Sequence, residues 1–148
     1  MATRCKIGVQ QPDGTIRSIY CHWDGYPAGV GKKLLNYYNT PTARDELIAP
    51  GDLSSLGSKI GEKHPFDWRD GNMSAIEHEQ LYGDWCTAFG RDRGEKNTEA
   101  TVHISVAEFS LCNSGEEWLY LWDSTTEEWK CKPRGGRFTS LAVRVKNA

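Results

Sequence analysis

The residues with the densest chemistry lie between Tyr20 and Lys33, in the run Tyr-Cys-His-Trp-Asp-Gly-Tyr-Pro-Ala-Gly-Val-Gly-Lys-Lys. A β-rich stretch enters this run. Gly25, Gly29 and Gly31 turn the chain, and a helix-forming segment leaves with Lys32 and Lys33 in its first turn. The first N–H groups of a helix have no intrahelical partner, and together with the helix dipole they attract anions. Lysine charge would add to that attraction, and the rings of Trp23 and Tyr26 could stack on a base. The predicted ligand-binding set here is therefore Trp23, Tyr26, Gly29, Gly31 and Lys32. The spacing is not that of a phosphate loop. Gly25 and Gly31 are separated by five residues rather than four, and Lys33 stands where a hydroxyl residue belongs. A strand–helix connection whose glycines only permit a tight path is the competing reading.

His22 and Asp24 sit two apart, so on a continuing strand they would share a face and could do acid–base work. They are the catalytic candidates if the chain is a hydrolase. Neither Gly-x-Ser-x-Gly nor His-Glu-x-x-His occurs, and no cofactor signature does. No Cys-x-x-Cys pair occurs either, and adjacent Cys21 and His22 would point to opposite faces of a strand, so no metal site is predicted. Arg91 and Arg93, in Arg-Asp-Arg-Gly-Glu, offer two guanidinium forks that could approach the same anion. They could equally pair with Asp92 and Glu95. The loop His64–Gly71 mixes an imidazole, carboxylates, an arginine and two aromatic rings, and reads either as a functional loop or as a local salt bridge over a tryptophan.

Composition narrows the class. The chain has 148 residues, the length of a single domain, with 38% hydrophobic and 26% charged residues. A net charge of −2 argues against general nucleic-acid binding and against acidic mimicry of a nucleic acid. Five dispersed cysteines suggest reduced thiols. The first residues hold no apolar run of signal-peptide length, and no stretch approaches the ~18 apolar residues of a membrane span. A cytoplasmic protein with no membrane partner is expected. Exposed β edges leave homo-oligomerisation open.

The elements that must position these residues follow from pattern. Residues 4–10 and 15–23 read as a hairpin around Pro12-Asp13-Gly14. A helix is predicted after Gly31, with Leu34, Leu35, Tyr37 and Tyr38 near helical spacing. A second, over 42–48, has Thr42 as its cap. Residues 51–72 read as a long loop with a short strand near Leu53. Ser74-Ala-Ile-Glu77 matches a capping box, and Ile76, Leu81 and Trp85 would give that helix its apolar face. Residues 90–96 read as a charged turn and 101–111 as a partly alternating strand. Residues 117–122 and 128–132 form a hairpin, and Leu141–Val145 a terminal strand. Six acids and one base over 107–130, against five bases and no acid over 132–146, suggest complementary strands. The prediction is one α+β domain, with an antiparallel sheet from the N-terminal hairpin and C-terminal strands and two or three helices between.

The run Ile19-Tyr-Cys-His-Trp-Asp-Gly-Tyr-Pro27, continued by Gly29-Val-Gly-Lys-x-Leu-Leu-x-x-Tyr37, resembles a family of small uncharacterised phage and prophage proteins. Gly51–Gly57, Arg91–Glu95 and the Trp-Leu-Tyr-Leu-Trp-Asp strand from Trp118 resemble the same family, over roughly residues 5–132. The resemblance implies a virus-related accessory protein acting inside a bacterial cell. It carries no catalytic residue set. Phage accessory proteins of this size counter host defence by binding a defence protein, or by sequestering or degrading a nucleotide signal. With no nucleophile–base set in view, the expectation is a non-enzymatic binder of a nucleotide-type ligand or of a host defence protein. The alternative is a small hydrolase acting on a phosphate-containing substrate.

Overall fold

A computed structural model describes residues 2–146. β1 (Cys5–Gln10) and β2 (Ile16–Cys21) form the expected hairpin. A π-helical turn (Pro27–Gly31) leads directly into α1 (Lys32–Tyr37), followed by α2 (Pro41–Ile48) and β3 (Leu53–Ser55). Then come α3 (Ala75–Tyr82), β4 (Thr87–Ala88), α4 (Phe89–Arg93), β5 (Thr101–His103) and α5 (Val106–Ser110). β6 (Trp118–Asp123), β7 (Glu128–Pro133), β8 (Thr139–Ser140) and α6 (Leu141–Lys146) complete the described chain.

The class is α+β, with one sheet built from both ends of the sequence in the order β4-β3-β2-β1-β6-β7-β8, and with β5 also on β2. The expected antiparallel sheet is in fact mixed. β1 runs parallel to β6, pairing Cys5 with Trp118 through to Val9 with Trp122, and β2 runs parallel to β3. A parallel neighbour needs a crossover, and the chain between β1 and β6 supplies one that holds five of the six helices.

Both faces of the sheet are covered. Cys5, Ile7 and Val9 of β1 alternate onto one face with Ile19 and Cys21 of β2, Tyr120 of β6 and Trp129 and Cys131 of β7. There they meet Val30, Leu34, Leu47 and Leu141 from the π turn, α1, α2 and α6. The other face carries a smaller cluster of Ile16, Leu119 and Leu121 under Phe109 of α5. Four of the five cysteines are buried, and all five are free thiols. Burial pushes the Cys5 thiol well above its ordinary pKa, the behaviour of a small core side chain. Buried polar rings tie irregular backbone to this core. Tyr120 donates its hydroxyl to the Gly25 carbonyl at 2.6 Å, Tyr38 to the Gly57 carbonyl at 2.6 Å, and Trp129 its indole N–H to the Tyr38 carbonyl.

Several elements depart from the sequence pattern. α2 starts one turn position early, because Pro41 fits a first helical position and Thr40, not Thr42, accepts from the Ala43 N–H. Ser74 does cap α3. Its inward side chains are nevertheless His78 and Tyr82, while Ile76 and Leu81 face solvent. The charged turn over 90–96 opens as helix α4. Residues 101–111 split into a short strand and α5, because Ser105 caps a helix at the Glu108 N–H. The terminal strand is a helix. Leu141 and Val145 lie one helical turn apart against the core, and Val143 points outward. Apolar residues at i and i+4 satisfy both periods, so five residues could not separate them.

On the α5 side, His103 is buried and shares a 2.8 Å hydrogen bond with Ser18. Burial and Lys6 lower its pKa below the ordinary 6.5, against a smaller opposing pull from Glu108. The folded protein therefore holds His103 neutral, and the unfolded chain takes up more protons as pH falls through 6.5 toward the lower folded value. Thermal melts should show stability declining as pH falls below 6.5. His103→Gln should flatten that slope, and an unchanged slope would remove His103 from the account.

Candidate functional site

The Gly25–Gly31 segment does not form an anion cradle. The Gly29 N–H goes to the Tyr26 carbonyl, the Val30 N–H to the Asp24 carbonyl, and the Lys32 N–H back to the Gly29 and Pro27 carbonyls. The π turn thus consumes donors that a ligand would need. Its glycines serve close approach. A Cβ at Gly29 would collide with the Asp24 carbonyl, and one at Gly31 would sit 2.9 Å from the Leu141 side chain. Glycines that permit a tight strand–helix path are the competing reading of the sequence, and that is the role seen at Gly29 and Gly31. Lys32 points to solvent, and Lys33 reaches back to the Leu56 carbonyl.

The two rings predicted to share a site part company. Trp23 lines a cleft of about 280 Å³ with Ser54, Phe66, Asp67, His78 and Trp85 among its neighbours. The long loop and the 20–33 segment therefore meet there. The lining carries two carboxylates, Asp67 and Glu79, and no lysine or arginine, which disfavours an anion. Behind the lining rings of Tyr82 and Trp85 lies His64, stacked on Tyr82 with centroids 4.9 Å apart and with Trp85 edge-on to it. His64 donates from Nδ1 to the Glu62 carbonyl at 2.7 Å, and its Nε2 shares a 3.2 Å hydrogen bond with the Thr87 hydroxyl.

Arg91 belongs to the support of this cleft and not to an anion site. Its Nε and Nη2 donate to Asp92, Nη1 to the Ile60 carbonyl and Nη2 to the Cys86 carbonyl. The Asp92 side chain is fully buried and also accepts from the His64 and Ala88 N–H groups. Together they clamp the loop to β4. Arg93 pairs with Glu95 and stacks over the Phe66 ring. The local pairing weighed for these two arginines is the one realised, and neither lines the cavity that Tyr26 faces. His22 and Asp24 are engaged separately, His22 with the Tyr20 hydroxyl at 2.7 Å and Asp24 as acceptor from the Tyr26 hydroxyl at 3.3 Å. β2 ends at Cys21 and Asp24 takes a positive φ of 57°, so the continuing strand that would have aligned them does not exist.

Tyr26 faces a larger opening of about 750 Å³, within the usual range for ligand sites. Tyr26, just before the π turn, and Pro27 and Ala28 within it line the opening, the start of β6 supplies Trp118, and β8 and α6 supply Thr139, Ser140, Val143 and Arg144. The Arg144 guanidinium stands over the Trp118 ring, 5.3 Å from its centroid. Among the described residues no carboxylate pairs with it, and none lines the groove. The sequence reading missed this wall. The five bases over 132–146 were its only signal, and reading 141–145 as a strand would have put Arg144 on the face opposite Leu141 and Val145.

Among the described residues, no group of three or more His, Cys, Asp or Glu side chains is placed to hold a metal ion, and no helix is long and apolar enough to cross a membrane. Comparison with protein families, with curated proteins and with solved structures finds no match to this chain.

Removing one partner of a buried ion pair leaves the other charge uncompensated. Asp92→Ala should therefore cost about 3 kcal/mol or more in denaturant unfolding. Trp23→Ala, at an exposed rim, should cost under about 1 kcal/mol. Equal losses would refute the division between clamp and rim.

Proposed function

We propose that this chain is a phage-related accessory protein that binds a nucleotide-type ligand in the Tyr26–Trp118–Arg144 groove and holds it without turnover. The observation that carries the reading is the Arg144 guanidinium over Trp118, with no carboxylate partner among the described residues, sharing with Tyr26 a groove lined by no carboxylate. A base can stack between or upon the two rings, and arginine can take a phosphate through its fork. Thr139 and Ser140 also line the groove, and a hydroxyl can hydrogen-bond the edge of a base. The resemblance of residues 19–37 to phage and prophage proteins supplies the biological setting, in which sequestering a nucleotide signal is a direct counter to host defence. Binding is favoured over hydrolysis because His22 and Asp24 each hold a separate local hydrogen bond.

Native mass spectrometry with a panel of mono-, di- and cyclic nucleotides tests this. A stoichiometric adduct, stable over hours, is expected. Tyr26→Ala and Arg144→Ala should each weaken it by ~1–3 kcal/mol while the melting transition stays cooperative. Lys32→Ala and Trp23→Ala should leave it unchanged. An adduct that converts to a lighter product would replace sequestration by hydrolysis. An empty spectrum across the panel would overturn the nucleotide reading, and a host-protein partner would take its place.

A further inference from the structure

β6 places Trp118, Tyr120 and Trp122 on one face. Its far end, at Trp122, opens on a second groove of about 440 Å³ between α2 and the β1–β2 turn. Arg44 of α2 lies in its wall, 93% buried, with the guanidinium carbon 3.6 Å from the centroid of the Trp122 ring. Its Nη1 has neither solvent nor a hydrogen-bond partner, the one such buried side-chain atom among the described residues. No ion pair involves Arg44 there either. The contrast with Arg91, whose nitrogens all donate, is direct.

A buried guanidinium without a counter-charge is costly, and buried charges are ordinarily paired. The neighbouring polar groups do not relieve it. Gln10 Oε1 accepts from both the N–H and the hydroxyl of Ser124. Burial lowers the Arg44 pKa, and only Asp45 acts against that, without reaching ion-pair distance. We propose that Arg44, stacked on Trp122, is the recognition residue of a second binding site, which takes a small organic carboxylate with a flat apolar body. The carboxylate supplies the missing counter-charge, and the apolar body lies on the groove wall beside Trp122, Pro12 and Pro41. Asp45 on the rim favours a single negative charge over a phosphate dianion. Helices cover Tyr120 between the two tryptophans, so this site is separate from the Tyr26 groove and stands or falls independently of it.

The test uses the whole chain, with benzoate, its neutral isostere benzamide and inorganic phosphate as probes. The readout is the indole N–H resonance of Trp122, assigned by its loss in Trp122→Phe. Benzoate should shift that resonance saturably in the millimolar range, and benzamide should not. Arg44→Met should weaken the benzoate response by on the order of tenfold or more. Arg44→Lys, which keeps charge but loses the fork, should fall between. The wild-type comparison of benzoate with benzamide decides the matter even if neither variant folds. Equal responses to the two, no saturable response, or a response retained in a folded Arg44→Met would overturn the proposal. A phosphate response stronger than that of benzoate would overturn its carboxylate assignment.

Discussion

The pairing of β1 with β6 is the constraint on which the other elements depend. It joins Cys5–Val9 to Trp118–Trp122 in parallel across most of the chain, and it puts both strands in the interior of the sheet. Two strands buried on both faces require cover on both sides. α1, α2 and α6 supply it on one face and α5 on the other. Tyr120 sits at the middle of the covered stretch, fully buried, with its hydroxyl satisfied by the Gly25 carbonyl. That bond fixes the end of the β2 loop and with it the π turn.

The grooves lie where the helical cover runs out. Trp118 and Trp122 stand on either side of Tyr120, about 13 Å apart at a strand rise of ~3.3 Å per residue. Each is half-buried, and each lies under an arginine delivered by a helix, Arg144 from α6 and Arg44 from α2. Arginine suits that position, because its flat, weakly hydrated head stacks on an indole and keeps its donors in plane. What separates a structural arginine from a recognition residue here is the state of those donors. Arg91 has spent them on Asp92 and backbone carbonyls, whereas among the described residues Arg44 and Arg144 pair with no carboxylate.

The long segment between β3 and α3 shows how little regular structure an ordered loop needs. It is held by a few charge-assisted or buried polar anchors: Tyr38 at Gly57, Arg91 at Ile60 and Gly61, and Asp92 at the His64 N–H. In a low-dielectric interior such bonds are worth more than in water, and losing one partner is expensive. The aromatic stack of His64, Tyr82 and Trp85 rests on that frame.

Local signals in the sequence determined a good part of this protein. The Pro12–Gly14 turn between alternating runs specified the N-terminal hairpin, the alternation around Asp123–Glu127 specified the β6–β7 hairpin, and Ser74 specified the start of α3. Each depends on neighbours within a few residues. The class followed, because strands at both ends with helices between allow few other arrangements. Trp23, Tyr26 and Arg91 stood out in the sequence by residue type, but the surroundings of the two rings were not legible. Tyr26 meets Arg144, Trp23 meets Asp67 and His78, and Arg91 meets Asp92 and loop carbonyls. Asp92 is the neighbour of Arg91 and that pairing was open in the sequence, but Arg144, Asp67, His78 and the loop carbonyls lie far along the chain from the residues they join, and no periodicity encodes them. The Leu141–Val145 helix was lost because a five-residue window serves both periods. The tertiary structure alone decided which face the helices cover, which arginines are consumed by structure, and where two tryptophans of one strand are left with open ground beside them.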